Sequence, residues 1–218
     1  MLENKLRNKT SASEDELTST IIGTMKYLPS NLFWSLIRKS CFENSNLPEN
    51  SGEIETFIFW PKWNAENTTN SKYVEPDIFF SFENFNLIIE VKPFDSFGQT
   101  SGQWENQIQS YFNEYETEKK VIYISLGGNY DKTNDEISIC DKKITIHKCD
   151  WISILIEVSS TLKELKKIKT PLNNIHQIIR ILQDIINGFN YFNYYNIKWF
   201  EEINNYNVEN KRISISYE

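Results

Sequence analysis

Asp77, Glu90 and Lys92 stand where packing alone would not put them, inside the apolar stretch EPDIFFSFENFNLIIEVKP at positions 75–93. A charge in a dry interior without a partner is costly, so two acids and an amine there must serve one another or a ligand. The stretch reads as two strands joined by a turn within ENFN. With Asn84 and Phe85 as a two-residue turn, Glu83 opposes Asn86 and Asp77 opposes Lys92. Side chains alternate with period two, so Phe79, Glu90 and Lys92 share the side of Asp77, while Val91 points away. A register slip of one residue would separate Asp77 from Glu90. Neighbouring carboxylates repel unless a cation or a proton lies between them, and oxygen-rich sites suit Mg2+. A nearby ammonium can position or help deprotonate a water and offset charge building on a phosphate, which points to phosphodiester hydrolysis. The plainer alternative is an exposed, salt-bridged strand end.

The elements that must hold these residues follow from periodicity. SEDELTSTIIGTMKYL places Leu17, Ile21, Met25 and Leu28 at helical spacing, and Ser13 with Glu16 makes a capping box, so a first helix starts near residue 13. NLFWSLIRKSCF continues as a second helix after Pro29, and residues 43–52 form a loop. EIETFIFW is a strand, WNAENTTNSKYVE an exposed connection, and the hairpin follows. QWENQIQSYFNEYE is a helix with Trp104, Ile108, Tyr111, Phe112 and Tyr115 as its apolar stripe. KKVIYISLGG is a buried strand, which makes a strand-helix-strand crossover. ITIHKC is a further strand, and DWISILIEVSSTLKELKK opens a helix capped by Asp150. PLNNIHQIIRILQDIINGF is a last helix, started by Pro171 and closed by Gly188. The order is α(α)βββαβ followed by a helical end.

In that order the residues resemble the PD-(D/E)xK nuclease superfamily. Pro76-Asp77 and Glu90-Val91-Lys92 match its signature, and Gln107 with Tyr111, in QIQSY, looks like the QxxxY motif of several of its families. The resemblance covers residues 13–126 and implies an α/β, restriction-endonuclease-like αβββαβ core, with a central mixed sheet flanked by helices. Residues 127–218 are then a strand and helical elaboration packed on that core, within a single domain spanning 1–218. The resemblance further implies that Asp77 and Glu90 ligate Mg2+ or Mn2+, helped by the backbone carbonyl of Val91 and by an acid of the first helix. Glu14 is preferred to Glu16 for that acid, because it continues the buried stripe whereas Glu16 is explained by capping. Lys92 would orient the attacking water, Gln107 would support the lysine or the scissile phosphate, and Tyr111 would support the helix or contact substrate. Glu75 and Glu83 are near enough to enlarge the acidic site, the alternative being solvated turn residues.

Composition limits the partners. A chain of 218 residues with 39% hydrophobic content and 14% aromatic residues can form a real core, and no apolar run approaches a membrane span. The start carries no apolar secretory stretch, and Cys41, Cys140 and Cys149 form no CxxC, so a reducing, cytoplasmic setting is expected. His147 and His176 stand alone, which leaves zinc without support. A net charge of −7 is unhelpful for nucleic acid, which is gripped by local Lys and Arg. Lys163, Lys166 and Lys167 share one helix face and are candidate phosphate contacts, a simple solvated face being the alternative. FNYFNYYNIKWF carries seven aromatics in twelve residues, read as packing or self-association rather than base stacking. The expected function is a metal-dependent endonuclease acting on DNA rather than RNA, in restriction or anti-phage defence. A homodimer or a partner protein would supply further substrate contacts. The rivals are a catalytically idle binding module of the same fold and an oligomeric interaction protein.

Overall fold

A computed structural model describes residues 13–93, 98–115, 119–139, 141–168 and 174–195. The first stripe folds as expected into helix α1 (Ser13–Met25), with Leu17, Ile21 and Met25 buried. Pro29 occupies the cap of α2 (Ser30–Ser40), where its fixed φ suits a helix start, and Phe33, Trp34, Leu36 and Ile37 face inward. Strands follow as β1 (Ile54–Phe59), β2 (Trp63–Asn64), β3 (Tyr73–Val74), β4 (Ile78–Phe82) and β5 (Phe85–Val91). Helix α3 (Ser101–Glu114) then leads to β6 (Lys120–Leu126), β7 (Asp135–Ile139) and β8 (Lys142–Cys149). Two long helices, α4 (Trp151–Lys167) and α5 (Ile175–Tyr191), complete the described chain.

Six strands make one mixed sheet in the order β1-β4-β5-β6-β8-β7, and β2 pairs with β3 in a separate ribbon. The β4–β5 hairpin is antiparallel, whereas β5–β6 and β6–β8 are parallel. The first parallel step needs a crossover, which α3 supplies. The two sides of the sheet are distinct cores. Ile78, Phe80, Leu87, Ile89 and Val91 join residues of α1, α2, α4 and α5 on one side. Phe79, Ile88 and Tyr123 join Trp104, Ile108 and Tyr111 of α3, with Trp63, on the other. The molecule is therefore an α/β assembly with helices on both faces of a mixed sheet.

Four expectations change. The hairpin pairs Ile78 with Ile89 and Ser81 with Asn86, so its connection is Glu83–Asn84 rather than Asn84–Phe85. This moves each partner by two residues, which keeps every side chain on its expected face. The segment read as a plain connection forms the β2–β3 ribbon and buries Trp63 and Val74. Strand β7 was not expected; it pairs with β8 at the sheet edge and buries only Ile137 well. Gly188 lies inside α5 rather than closing it, and a Cβ there would stand 3.0 Å from Thr20 Cγ2 and 3.1 Å from Ile21 Cδ1. It is the point of close approach between α5 and α1. Of the aromatic segment, Phe189 is buried and Phe192 and Tyr194 pack on the core. Pro171, Cys140 and positions 196–200 lie outside the described residues, as does the side chain of Ser13.

Candidate active site

The parallel strands end side by side, and the acids gather there. Asp77 precedes β4, and its Oδ2 accepts the Val91 backbone N–H at 2.8 Å across the hairpin. Its own carbonyl accepts the Trp60 N–H at 2.9 Å. Glu90, near the end of β5, is 2% exposed and Asp77 7%. Glu90 Oε1 accepts from Lys92 Nζ at 2.7 Å and from Gln103 Nε2 at 2.5 Å, and Oε2 accepts from Gln107 Nε2 at 2.6 Å. Lys92 Nζ also donates to the Val91 carbonyl at 2.8 Å and lies 3.6 Å from Glu14 Oε1. The sheet thus brings Asp77, Glu90, Val91 and Lys92 together, and α1 adds Glu14. Glu16 is exposed.

Further residues hold these groups in place. Tyr123 OH donates to Gln107 Oε1 at 2.5 Å, which aims the Gln107 amide at Glu90. Gln99 Nε2 donates to the Glu90 carbonyl at 3.2 Å, and its Oε1 accepts Trp104 Nε1 at 2.8 Å. Thr100 caps α3 by accepting the Gln103 N–H, so the helix begins where its first amide side chain must reach the acid. The backbone of Lys92 is tied to Leu126 O at 2.8 Å, and its carbonyl accepts Trp151 Nε1 at 3.0 Å. Nothing in the sequence pattern alone marks Gln99, Gln103, Tyr123 or Trp151. Glutamines near a helix start resemble a solvated face until a buried carboxylate is found beside them.

Burial, and then the charge of Glu90, push Asp77 well above the usual carboxylate range, against the pull of the Val91 N–H and of Lys92. Burial likewise raises Glu14, although Lys92 opposes it. Burial alone would lower Lys92, but the charge and hydrogen bond of Glu90, with Asp77 and Glu14, outweigh it and hold the amine above its ordinary value. Lys92 is therefore a cation at neutral pH and can donate but not accept a proton. Burial raises Tyr123 well above the phenol range, so it remains a donor to Gln107.

Among the described residues no group of three or more His, Cys, Asp and Glu side chains forms a ready metal cluster. The donor set still suits a hard cation: two carboxylates, Asp77 and Glu90, the carbonyl of Val91, and Glu14 behind them are all oxygen ligands. The Lys92 ammonium now touches Glu90 and the Val91 carbonyl and approaches Glu14, so positive charge is already favoured at this point.

The other candidates lie apart. Tyr111 is wholly buried, with its hydroxyl accepting Asn86 Nδ2 at 2.8 Å, so it fixes α3 against the sheet and does not reach an external ligand. Lys163, Lys166 and Lys167 sit in the last turns of α4; Lys163 is about 18 Å along the helix axis from Trp151, the residue that touches Lys92. Lys166 Nζ instead reaches Gln183 Oε1 of α5 at 3.5 Å. Glu83 accepts the Glu53 N–H at 3.0 Å at the turn, the opposite end of the hairpin from the acids. His147 is buried beside Asn134 and the Glu43 carbonyl. No helix among the described residues is long and apolar enough to cross a membrane.

No protein-family model matches the chain. It is similar to an uncharacterized protein of Pasteurella multocida (strain Pm70), 33% identical over 132 residues that make up 59% of this chain and 48% of that protein. The chain thus spans about half the length of that relative.

Proposed function

We propose that this chain is a metal-dependent nuclease of the PD-(D/E)xK, restriction-endonuclease-like type, hydrolysing phosphodiester bonds of DNA as an endonuclease in restriction or anti-phage defence. The observation that carries this reading is the meeting of Asp77, Glu90, the Val91 carbonyl and Lys92 at one end of the sheet, with Glu14 behind them. Asp77, Glu90 and the Val91 carbonyl would hold Mg2+ or Mn2+, with Glu14 in support. Such an ion supplies charge neutralisation to the phosphate and acidifies water. The chain's own part is positional. Lys92, fixed as a cation, donates to the attacking water or to a phosphate oxygen as charge builds there. Gln107 and Gln103 hold Glu90 in one orientation, and Tyr123 holds Gln107.

A second reading draws on one feature: both oxygens of Glu90 are already engaged by Lys92, Gln103 and Gln107. A carboxylate so saturated would suit an idle module whose former site has become a structural tie. Titrating Mg2+ or Mn2+ against linear and circular DNA separates the two. The nuclease cuts both, and Lys92→Ala and Asp77→Ala each lower the rate by about 10²-fold or more. Cleavage that persists equally in both variants is not the work of this site, and the nuclease reading then fails.

A further inference from the structure

At the other end of the sheet, a cavity of about 410 Å3 is lined by Lys119, Lys120, Lys142 and Lys143. Lys120 precedes Ser125, the β6 partner of Glu90, by about 17 Å along the strand. The cavity has a structural origin. The β6–β8 ladder begins only at Tyr123 opposite Ile146, so the first residues of the two strands diverge and leave a notch. Phe112, Val121 and Ile144 form its apolar wall.

The four lysines arrive as two doublets, one at each strand start, in a chain of net charge −7. Lys119 is paired with Glu55 at 2.6 Å and Lys143 with Glu136. Lys120 reaches only the Asn46 carbonyl, at 3.5 Å, and the Lys142 ammonium lies over the Phe112 ring, 4.7 Å from its centre. Neither is paired with a carboxylate among the described residues. Both of these ammonium groups are exposed at the notch and are therefore accessible to an anion. The cavity volume also falls within the range of small-ligand sites.

We infer that this notch binds a nucleotide, with its phosphates on Lys120 and Lys142 and its ring against Phe112, Val121 and Ile144. The same chemistry is offered by a free nucleotide and by the terminal nucleotide of a strand. The inference is independent of the acid cluster, since none of that cluster's residues lines the notch.

The full-length chain and a Lys120→Ala/Lys142→Ala variant are titrated in EDTA with ATP, inorganic pyrophosphate and a 5′-phosphorylated oligonucleotide. Both lysines are exposed, and circular dichroism with a melting curve checks that the variant folds. The wild-type chain is expected to bind ATP saturably and tighter than pyrophosphate, with affinity falling as salt rises, and the variant to lose at least tenfold for both. An oligonucleotide tighter than ATP assigns the notch to a strand end; one no tighter assigns it to the free nucleotide. Absence of saturable binding at millimolar ATP, equal affinity of the two proteins, or pyrophosphate binding as tightly as ATP overturns the inference. EDTA leaves the acid cluster without a divalent ion, so none of these outcomes bears on hydrolysis.

Discussion

Under the proposed function, Asp77 has a conflict between stability and use. Because its folded pKa is raised by burial and by Glu90, its contribution to stability is complete below the ordinary carboxylate value, about 3.9, and is lost as pH rises through the folded value. Asp77→Asn removes the charge while leaving an oxygen to accept the Val91 N–H. The variant is expected to match wild type in chemical denaturation near pH 4 and to exceed it at pH 7 without divalent ions, while losing cleavage. An equal difference at both pH values would remove burial of the charge as the cause. Tyr123→Phe leaves Gln107 Oε1 buried without its donor, which is expected to cost about 1–3 kcal/mol in urea unfolding. Asp77, Glu90 and Lys92 were legible in the sequence because a charged residue among Ile, Phe and Val is conspicuous. Gln103, Gln107 and Tyr123 were less so, or not at all, because an amide or a phenol reveals its task only through what it touches.

At the level of elements, the site rests on strand ends and the glycines that let chains pass them. Gly127 follows β6 with φ +75°, and a Cβ there would stand 2.2 Å from the Lys92 carbonyl oxygen. Gly127→Ala is therefore expected to cost more than the roughly 1 kcal/mol of a left-handed residue and to displace Lys92. The measurements are a melting curve and the cleavage rate, and an unchanged rate would separate the turn from the site. The hairpin shows how much a pattern can tell. Its alternation fixed which face each residue takes, and since the true pairing differs from the expected one by two, the shared face of Asp77, Glu90 and Lys92 was right although the partners were not. Strand β7 escaped notice because an edge strand needs only one apolar face, and DEISI offers little more than Ile137. The lysine doublets were visible as letters, but only the divergence of β6 from β8 brings them together.

On the scale of the whole molecule, the last described helix is part of the core. Helix α5 packs against α1 and α4, and Leu182, Ile185 and Phe189 are fully buried. Leu182→Ala is expected to cost about 2–5 kcal/mol in chemical unfolding; a cost below 1 kcal/mol would mean that α5 is an appendage. Acidic overall charge and a lysine-lined notch coexist because Lys120 and Lys142 have no carboxylate partner among the described residues, whereas Lys119 and Lys143 are neutralised by Glu55 and Glu136. The close approach at Gly188 ties the first described helix to the last. Glu14 rides on α1, so during synthesis the hairpin carrying Asp77, Glu90 and Lys92 emerges long before α5 exists to seat α1. A growing polypeptide would therefore carry the three charged residues of the hairpin before the helix pair that seats Glu14 can form.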